Sequence, residues 1–184
     1  MHDKTIPEPW LQFLKDIDNQ IDTEVIFHCF GGFAIKLLFG LPRETSDVDV
    51  LAALVRDRYS ELVSIAGKES ALNKKHGVYL DLVSTIAVVP DNYDERLIKI
   101  DTRFLEKIRL YVMDPHDIVL AKLGRNSPKD IQDVIYLAKA ANLDTKLLRQ
   151  RYTEELLPYT IGPEVRETGK LEFWLEMIQE VQSS

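Results

Sequence analysis

The chain lacks several features that would assign it to a specialised class of protein. Its 184 residues include one cysteine, Cys29, so no internal disulfide can form, and the apolar neighbours of Cys29 predict a buried side chain. No apolar run approaches the ~20 residues of a membrane-spanning helix, and no charged-then-apolar leader is visible. Internal repeats and low-complexity segments are absent as well. We therefore expect a cytoplasmic globular protein with no membrane partner.

Positive charge is also scarce. The chain has 23 Lys and Arg against 30 Asp and Glu, which gives a net charge of −7. This balance argues against a protein that coats nucleic acid through a broad basic surface. It leaves room for an RNA substrate whose end alone enters a site, and for a protein partner with a basic surface. With 45% apolar residues, the length suits one domain or two closely packed subdomains.

The segment from Gly31 to Val50 is the most informative part of the chain. Gly31 and Gly32 follow the apolar, strand-like run Val25–Phe30, which predicts a strand, a tight turn and a helix in that order. Glycines permit close approach of another group, and the free N–H groups at a helix start can hold a phosphate. A glycine pair by itself usually marks only a bend, so its meaning depends on the residues of the next strand.

Two aspartates, Asp47 and Asp49, occupy that next predicted strand. Residues i and i+2 of a strand share a face and lie ~6.6 Å apart, so both carboxylates can converge on one cation. Such close like charges disfavour each other's ionised form unless a cation compensates. Because no histidine or cysteine lies near them in sequence, oxygen ligation favours Mg²⁺ or Mn²⁺. The alternative is a solvated strand end.

A third carboxylate, Asp81, interrupts the apolar run Val78–Val83. An unpaired charge is costly to bury there, so Asp81 either faces water or has a functional partner. Three acids on adjacent strands could hold two cations ~3.5–4 Å apart, as in many phosphoryl-transfer sites.

Two helix starts are predicted later in the chain, at Asp114-Pro115 and Ser127-Pro128, with Asp130 completing a capping pattern after Ser127. Capping alone can explain these residues. The cations around the junction of the two helices are harder to dismiss in an acidic chain and could hold a triphosphate. They are Lys122, Arg125 and Lys129.

The glycine pair followed by Arg43-x-Thr45-x-Asp47-Val48-Asp49-Val50 resembles the motif of the DNA polymerase β-like nucleotidyltransferase superfamily. Within it, the chain is most similar to minimal bacterial nucleotidyltransferases of the abortive-infection (AbiEii-like) toxin type and the related DUF6036 group. Those proteins share a glycine turn, a metal-binding Asp pair and a third acid on a neighbouring strand. Many members have Ser where this chain has Gly32, so backbone amides would bind the phosphates here.

The resemblance implies an α/β (α+β) fold with a small mixed β-sheet nucleotidyltransferase core over residues 1–113 and a C-terminal helical bundle over residues 114–184. It implies metal-dependent transfer of an NMP from an NTP to a hydroxyl, releasing pyrophosphate. The expected acceptor is an RNA end such as that of tRNA, or a small molecule, in a toxin–antitoxin setting with a cognate antitoxin or toxin protein. Two alternatives stay open: an antitoxin-type enzyme that AMPylates a protein, and a catalytically retired interaction domain.

The resemblance also implies roles for individual residues. Lys122 and Arg125 would contact phosphates, and Asp130 or Asp133 would orient bases and cations. Asp81, the third acid, would help to activate the acceptor hydroxyl, in part as a general base. The predicted metal ligands and catalytic residues are Asp47, Asp49 and Asp81, and the predicted nucleotide-binding residues are Gly31, Gly32, Arg43, Thr45, Lys122, Arg125, Lys129, Asp130 and Asp133.

Hydrophobic periodicity and turn residues predict the remaining elements. Trp174 belongs to an apolar stripe typical of a core helix, and Pro163 is placed to begin that last helix. The predicted helices cover residues 9–20, 32–39 and 57–71, and the predicted strands cover 25–30, 47–53, 78–89 and 107–113.

Overall fold

The structure is a computed structural model that describes residues 6–84, 89–160 and 164–184. The chain divides into two compact units, one formed by Met1–Ser84 with Leu97–Met113 and the other by Thr85–Arg96 with Asp114–Ser184. No helix in the described ranges is both long and apolar enough to traverse a bilayer.

The first unit is a five-stranded mixed sheet with helices. Its sheet order is β3-β2-β1-β5-β4, in which β1 pairs antiparallel with β2 and parallel with β5, β2 pairs parallel with β3, and β4 pairs antiparallel with β5. The elements in chain order are α1 (Trp10–Gln20), β1 (Val25–Phe30), α2 (Gly31–Phe39), β2 (Asp47–Leu51), a 3₁₀ segment (Ala52–Arg58), α3 (Tyr59–Ala66), α4 (Ala71–His76), β3 (Tyr79–Val83), β4 (Ile98–Lys99) and β5 (Ile108–Val112).

Side chains alternate between the two faces of this sheet, and one face carries the core. Phe27, Val48 and Leu110 are at most 1% exposed, whereas their neighbours along each strand are half-buried or exposed. The buried acid Asp18 of α1 accepts backbone hydrogen bonds from Lys107 and Ile108, each at 2.8 Å, and so attaches α1 to the start of β5. The predicted mixed-sheet α/β core is therefore confirmed.

The second unit is helical in its described residues. Both predicted helix starts are confirmed: Asp114 accepts a hydrogen bond from the backbone N–H of His116, and Ser127 with Asp130 forms a capping box. Trp174 is 1% exposed and donates from Nε1 to Asn126 Oδ1 at 2.9 Å, which confirms its place in a core. The elements are a 3₁₀ turn (Tyr93–Arg96), α5 (Pro115–Leu123), α6 (Pro128–Ala140), α7 (Thr145–Arg151), a π-helical turn (Tyr152–Leu156), a 3₁₀ turn (Leu157–Tyr159) and α8 (Glu164–Ser183).

Several predicted boundaries were wrong. The helix expected over 57–71 ends early, because Gly67 is extended at the end of α3. A separate helix, α4, then begins at Ala71, where Ser70 caps it by accepting from the N–H of Asn73. The strand expected over 47–53 ends at Leu51, where a 3₁₀ segment begins. The strand expected over 78–89 ends at Val83, and residues 85–88 and Pro163 lie outside the described residues.

Candidate active site

The parallel pairing of β2 with β3 places the three predicted acids on one face of the sheet. Asp49 is directly opposite Asp81, and Asp47 is opposite Tyr79. Asp47 and Asp49 are half-buried and Asp81 is exposed, while the residues between them face the core. Because paired residues of adjacent strands point to the same side and strands lie ~4.8 Å apart, these carboxylates form one acidic surface.

The glycine turn lies directly against this acidic surface. Gly31 has a left-handed backbone, with φ of +71°, and a methyl group built on it would overlap the Asp49 carboxylate and lie 2.6 Å from Asp49 Cγ. Phe30, the residue before it, is opposite Asp49 in the β1–β2 pairing. Any other residue at position 31 would therefore be strained in its backbone and would also displace an acid.

The second glycine makes room for the loop that leads into β2. A methyl group on Gly32 would lie 2.8 Å from Arg43 Nη2 and 2.9 Å from Thr45 Oγ1. Thr45 is 8% exposed and its hydroxyl donates to Asp47 Oδ1 at 2.5 Å, which fixes the orientation of that carboxylate. Lys36 of α2 holds the same loop by donating to the carbonyls of Leu41 and Arg43, at 2.9 and 3.2 Å.

These contacts bring together seven of the predicted residues, but both glycines are themselves buried. Their evident role is spatial, since they let the acid-bearing loop and strand approach the start of α2. The predicted contact between their amides and a phosphate stays a prediction. The seven residues are Gly31, Gly32, Arg43, Thr45, Asp47, Asp49 and Asp81.

Two residues of this surface were missed by sequence reasoning. Tyr79 lies beside the acids: burial raises the pKa of its phenol, and the negative charges of Asp47, Asp81 and Asp49 raise that pKa further. The ammonium of Lys68 lies 5.9 Å from the centroid of the Tyr79 ring. Tyr79 could have been found from its position two residues before Asp81, whereas nothing in the sequence distinguishes Lys68.

Cys29 lies on the core side of β1 and is fully buried, as predicted. Burial, with a further contribution from the negative charge of Asp49, raises the pKa of its thiol far above the usual range. A thiol held in this protonated state is a poor nucleophile and a poor metal ligand. Cys29 therefore has a packing role.

The other predicted nucleotide-binding residues belong to α5, α6 and their junction in the second unit. Lys122 is 4% exposed, and its ammonium donates to Asp133 Oδ2 at 2.7 Å and to Asp130 Oδ1 at 3.4 Å. Arg125 donates to both oxygens of Asp130, at 2.8 and 2.5 Å. Burial raises the pKa of Asp130, but the hydrogen bonds from Arg125 and Ser127 and the charge of Lys122 outweigh burial and lower that pKa below its ordinary value.

This ion cluster satisfies its own charges. Lys122 already neutralises two carboxylates that are 0% exposed, so a contact between Lys122 and a phosphate would require rearrangement of the cluster. The side chain of Arg125 is 65% exposed, and Lys129 is exposed at the start of α6. The phosphate contacts of Lys122, Arg125 and Lys129 remain predictions.

A second buried network in this unit was also missed. Asp117 is 0% exposed and accepts from Arg96 Nε at 3.0 Å and from Arg151 Nη1 at 2.9 Å. Arg96 also pairs with Glu155 at 2.7 Å, and Arg151 with Asp114 at 2.8 Å. Because these partners are far apart in sequence, local pattern gives no signal for the network, which joins the Tyr93–Arg96 turn to the helices.

The chemistry of the β2–β3 acids can be compared with the needs of a divalent cation. Among the described residues, no group of three or more His, Cys, Asp or Glu side chains is placed so that it could hold a metal ion. Mg²⁺ commonly takes only one or two carboxylates from a protein and completes its shell with phosphate oxygens and water. Asp47 and Asp49 lie on one face of β2 and supply two carboxylates, and their binding of Mg²⁺ stays a prediction.

Comparison with known families gives one match. A family model described as "Nucleotidyltransferase of unknown function (DUF6036)" matches residues 11–182, a range that includes residues of both units. No curated protein and no solved structure gives a significant match. The family match covers the glycine turn, the three acids and the α5–α6 ion cluster.

Proposed function

The chain belongs to the DUF6036 family of nucleotidyltransferases of unknown function, and from this premise we propose that it transfers an NMP from an NTP to a hydroxyl acceptor, releasing pyrophosphate. One observation carries the proposal. Asp47 and Asp49 lie on the same face as Asp81 and next to Gly31, whose left-handed backbone has room for no side chain without displacing Asp49. A family name alone would not support active chemistry, whereas an acidic surface built this closely around a glycine turn does.

The proposed roles follow from where each side chain lies. Asp47 and Asp49 would hold Mg²⁺ or Mn²⁺ together with the triphosphate, and the hydroxyl of Thr45 keeps Asp47 in one orientation. A divalent cation bound there would neutralise phosphate charge and make the acceptor hydroxyl more acidic. Arg43, adjacent to Gly32, adds positive charge on the same side, where negative charge develops on the phosphates during transfer.

In the proposed reaction, Asp81 accepts the proton that the acceptor hydroxyl loses. The acceptor oxygen forms a bond to the α-phosphorus, the bond from that phosphorus to the bridging oxygen breaks, and pyrophosphate leaves. The hydroxyl proton passes to a carboxylate oxygen of Asp81, which is exposed on the edge strand β3 and open to an incoming acceptor.

The proposed acceptor is an RNA end such as that of tRNA, in the cytoplasm, with a toxin–antitoxin role and a cognate protein partner. What supports an RNA end over a long nucleic acid is the charge distribution. The chain is acidic overall, with a net charge of −7, yet Lys68 is an exposed cation beside Tyr79 at the acidic surface. A local cation suits the end of a strand better than a duplex surface.

The test is transfer of label from nucleotide to acceptor. The purified protein is incubated with Mg²⁺, each α-labelled NTP in turn, and total cellular RNA and protein. Asp47→Asn and Asp49→Asn should abolish labelling without unfolding the protein, while Asp57→Asn, a change of the same charge at an exposed position in the 3₁₀ segment, should leave it intact. Full turnover in both Asp47 and Asp49 variants would rule out the metal assignment.

The same experiment separates the alternatives. Label on protein, absent from RNA, would favour an AMPylating enzyme of the antitoxin type. No label in any lane, together with no Mg²⁺-dependent NTP binding, would indicate an interaction domain that has lost catalysis.

A further inference from the structure

Lys68 and Tyr79 occupy the outer border of the acidic surface. Tyr79 is the first residue of β3, and β3 is an edge strand of the sheet. Its backbone N–H donates to the carbonyl of Ser46 at 2.9 Å, which ties it to the residue just before Asp47. Lys68 lies in the turn between α3 and α4, where the N–H of Ser70 donates to the carbonyl of Gly67 at 3.0 Å. Both residues are therefore attached to ordered backbone next to the acids.

The charge of Lys68 has no carboxylate partner among the described residues. Its side chain is exposed, and its contact is with the Tyr79 ring at 5.9 Å from the centroid. Lys75, by comparison, pairs with Asp16 at 2.6 Å, and Lys122 is enclosed by Asp130 and Asp133. An exposed cation beside an aromatic ring offers a stacking surface for one base and a charge for the adjacent phosphate, the combination that single-stranded nucleic acid recognition uses.

Sheet order indicates which substrate would occupy this position. β2 lies between β1 and β3, so the glycine turn after β1 and the Lys68–Tyr79 pair are on opposite sides of Asp47 and Asp49. The triphosphate is assigned to the side of the glycine turn. The acceptor hydroxyl is assigned to the side of Asp81, which shares β3 with Tyr79. Lys68 and Tyr79 are thus on the acceptor side.

We propose that Lys68 and Tyr79 bind the terminal nucleotides of a single-stranded RNA acceptor, with Lys68 on a backbone phosphate and the Tyr79 ring against a base. This assignment rests on the proposed nucleotidyl transfer and extends it to the acceptor. It makes both residues specificity-determining for RNA, with no part in holding the NTP. A ring and a single cation also suit RNA better than a protein hydroxyl, which presents neither a base nor a repeating phosphate.

The experiment compares acceptor binding with nucleotide binding. Lys68→Gln and Tyr79→Leu remove the charge and the ring, Lys68→Arg and Tyr79→Phe retain them, and Lys74→Gln removes the same charge from the exposed face of α4 as a matched control. KM is measured separately for a bulk tRNA pool and for the NTP. Fluorescence anisotropy of labelled tRNA gives affinity as a function of salt without requiring turnover, and circular dichroism verifies that each variant is folded.

Tyr79→Leu should weaken tRNA binding about 5- to 150-fold, the usual cost of removing one base–aromatic stack. Lys68→Gln should lower the magnitude of the slope of log affinity against log salt by about 0.7, as expected for the loss of one phosphate contact on a single strand. The KM for NTP should be unchanged, Lys68→Arg and Tyr79→Phe should bind nearly as wild type does, and Lys74→Gln should behave as wild type.

Two results of the variant comparison would overturn the acceptor assignment. One is a rise in the KM for NTP with unchanged tRNA affinity, and the other is equal tRNA affinity in wild type, Lys68→Gln and Tyr79→Leu. Transfer by wild type to protein alone would also refute it while leaving nucleotidyl transfer intact. Absence of any transfer would instead count against the proposed function, and the anisotropy series would still decide whether these residues bind RNA.

Discussion

Replacing Gly31 by alanine tests whether the glycine turn exists to accommodate Asp49. Two separate costs are expected. An L-residue in the left-handed region costs ~1–2 kcal/mol, and Gly31 has φ of +71°. The new methyl group would also overlap the Asp49 carboxylate, and forcing a group into an occupied site typically costs ~1–3 kcal/mol. Together these give a loss of about 2–5 kcal/mol.

Gly40→Ala provides a matched control at the other end of the same helix. Gly40 follows α2 with φ of +72°, and a methyl group there would meet nothing within 4 Å. This variant should therefore show the backbone cost alone, ~1–2 kcal/mol, or about 2–8 °C in Tm at ~2–4 °C per kcal/mol for a chain of this size. The difference between the two variants isolates the overlap with Asp49.

Urea unfolding followed by circular dichroism measures both variants, and nucleotidyl transfer is assayed at a temperature where each is folded. Gly31→Ala should lose ~100-fold or more in turnover because a misplacement of ~1 Å in a reacting group has that effect, whereas Gly40→Ala should retain turnover. Equal destabilisation and equal activity of the two variants would refute the idea that position 31 must be glycine to leave space for the Asp49 carboxylate.

Three further predictions concern burial and charge. Hydrogen bonds lower the pKa of Asp114 to about 2. The stabilising effect of the Asp114 carboxylate is therefore complete above its unfolded pKa of ~3.9 and is lost as pH falls through about 2. Between pH 4 and pH 2, the urea midpoint of Asp114→Asn should change less than that of the wild type. Lys122→Met should cost ~3–5 kcal/mol in urea unfolding by leaving Asp133 buried without its cation, whereas Lys129→Met, at an exposed position, should change stability by less than ~0.5 kcal/mol. Cys29 should react with a thiol reagent only after unfolding, and rapid labelling of the folded protein would contradict its burial.

The sequence predicted those features of the site and fold that depend on contacts between residues close together in the chain. Alternation along β2 is enough to place Asp47 and Asp49 on one face, and the residues Asp114 and Ser127 before proline mark helix starts because capping is a contact within one turn. The same logic would have included Tyr79, which occupies the same face of β3 as Asp81.

What could not be predicted depends on contacts between residues distant in sequence. The burial of Lys122 against Asp130 and Asp133 could not be predicted, because it depends on how α5 packs on α6. Asp117 gave no signal because Arg96 and Arg151, its partners, lie on either side of it and far along the chain. The break between α3 and α4 was missed because Gly67 adopts an extended conformation that a helical apolar pattern does not reveal.

The ion pairs of Arg96 also limit where the polypeptide can be cut. Arg96 belongs to the second unit, where it pairs with Asp117 and Glu155. In the chain, however, it precedes β4 and β5 of the first unit. Expressing residues 1–113 and 114–184 as separate fragments would therefore give one piece the guanidinium and the other the two carboxylates, including one that is fully buried. Neither unit is encoded by a continuous stretch of gene, so shuffling or swapping at a single junction would be expected to yield insoluble halves.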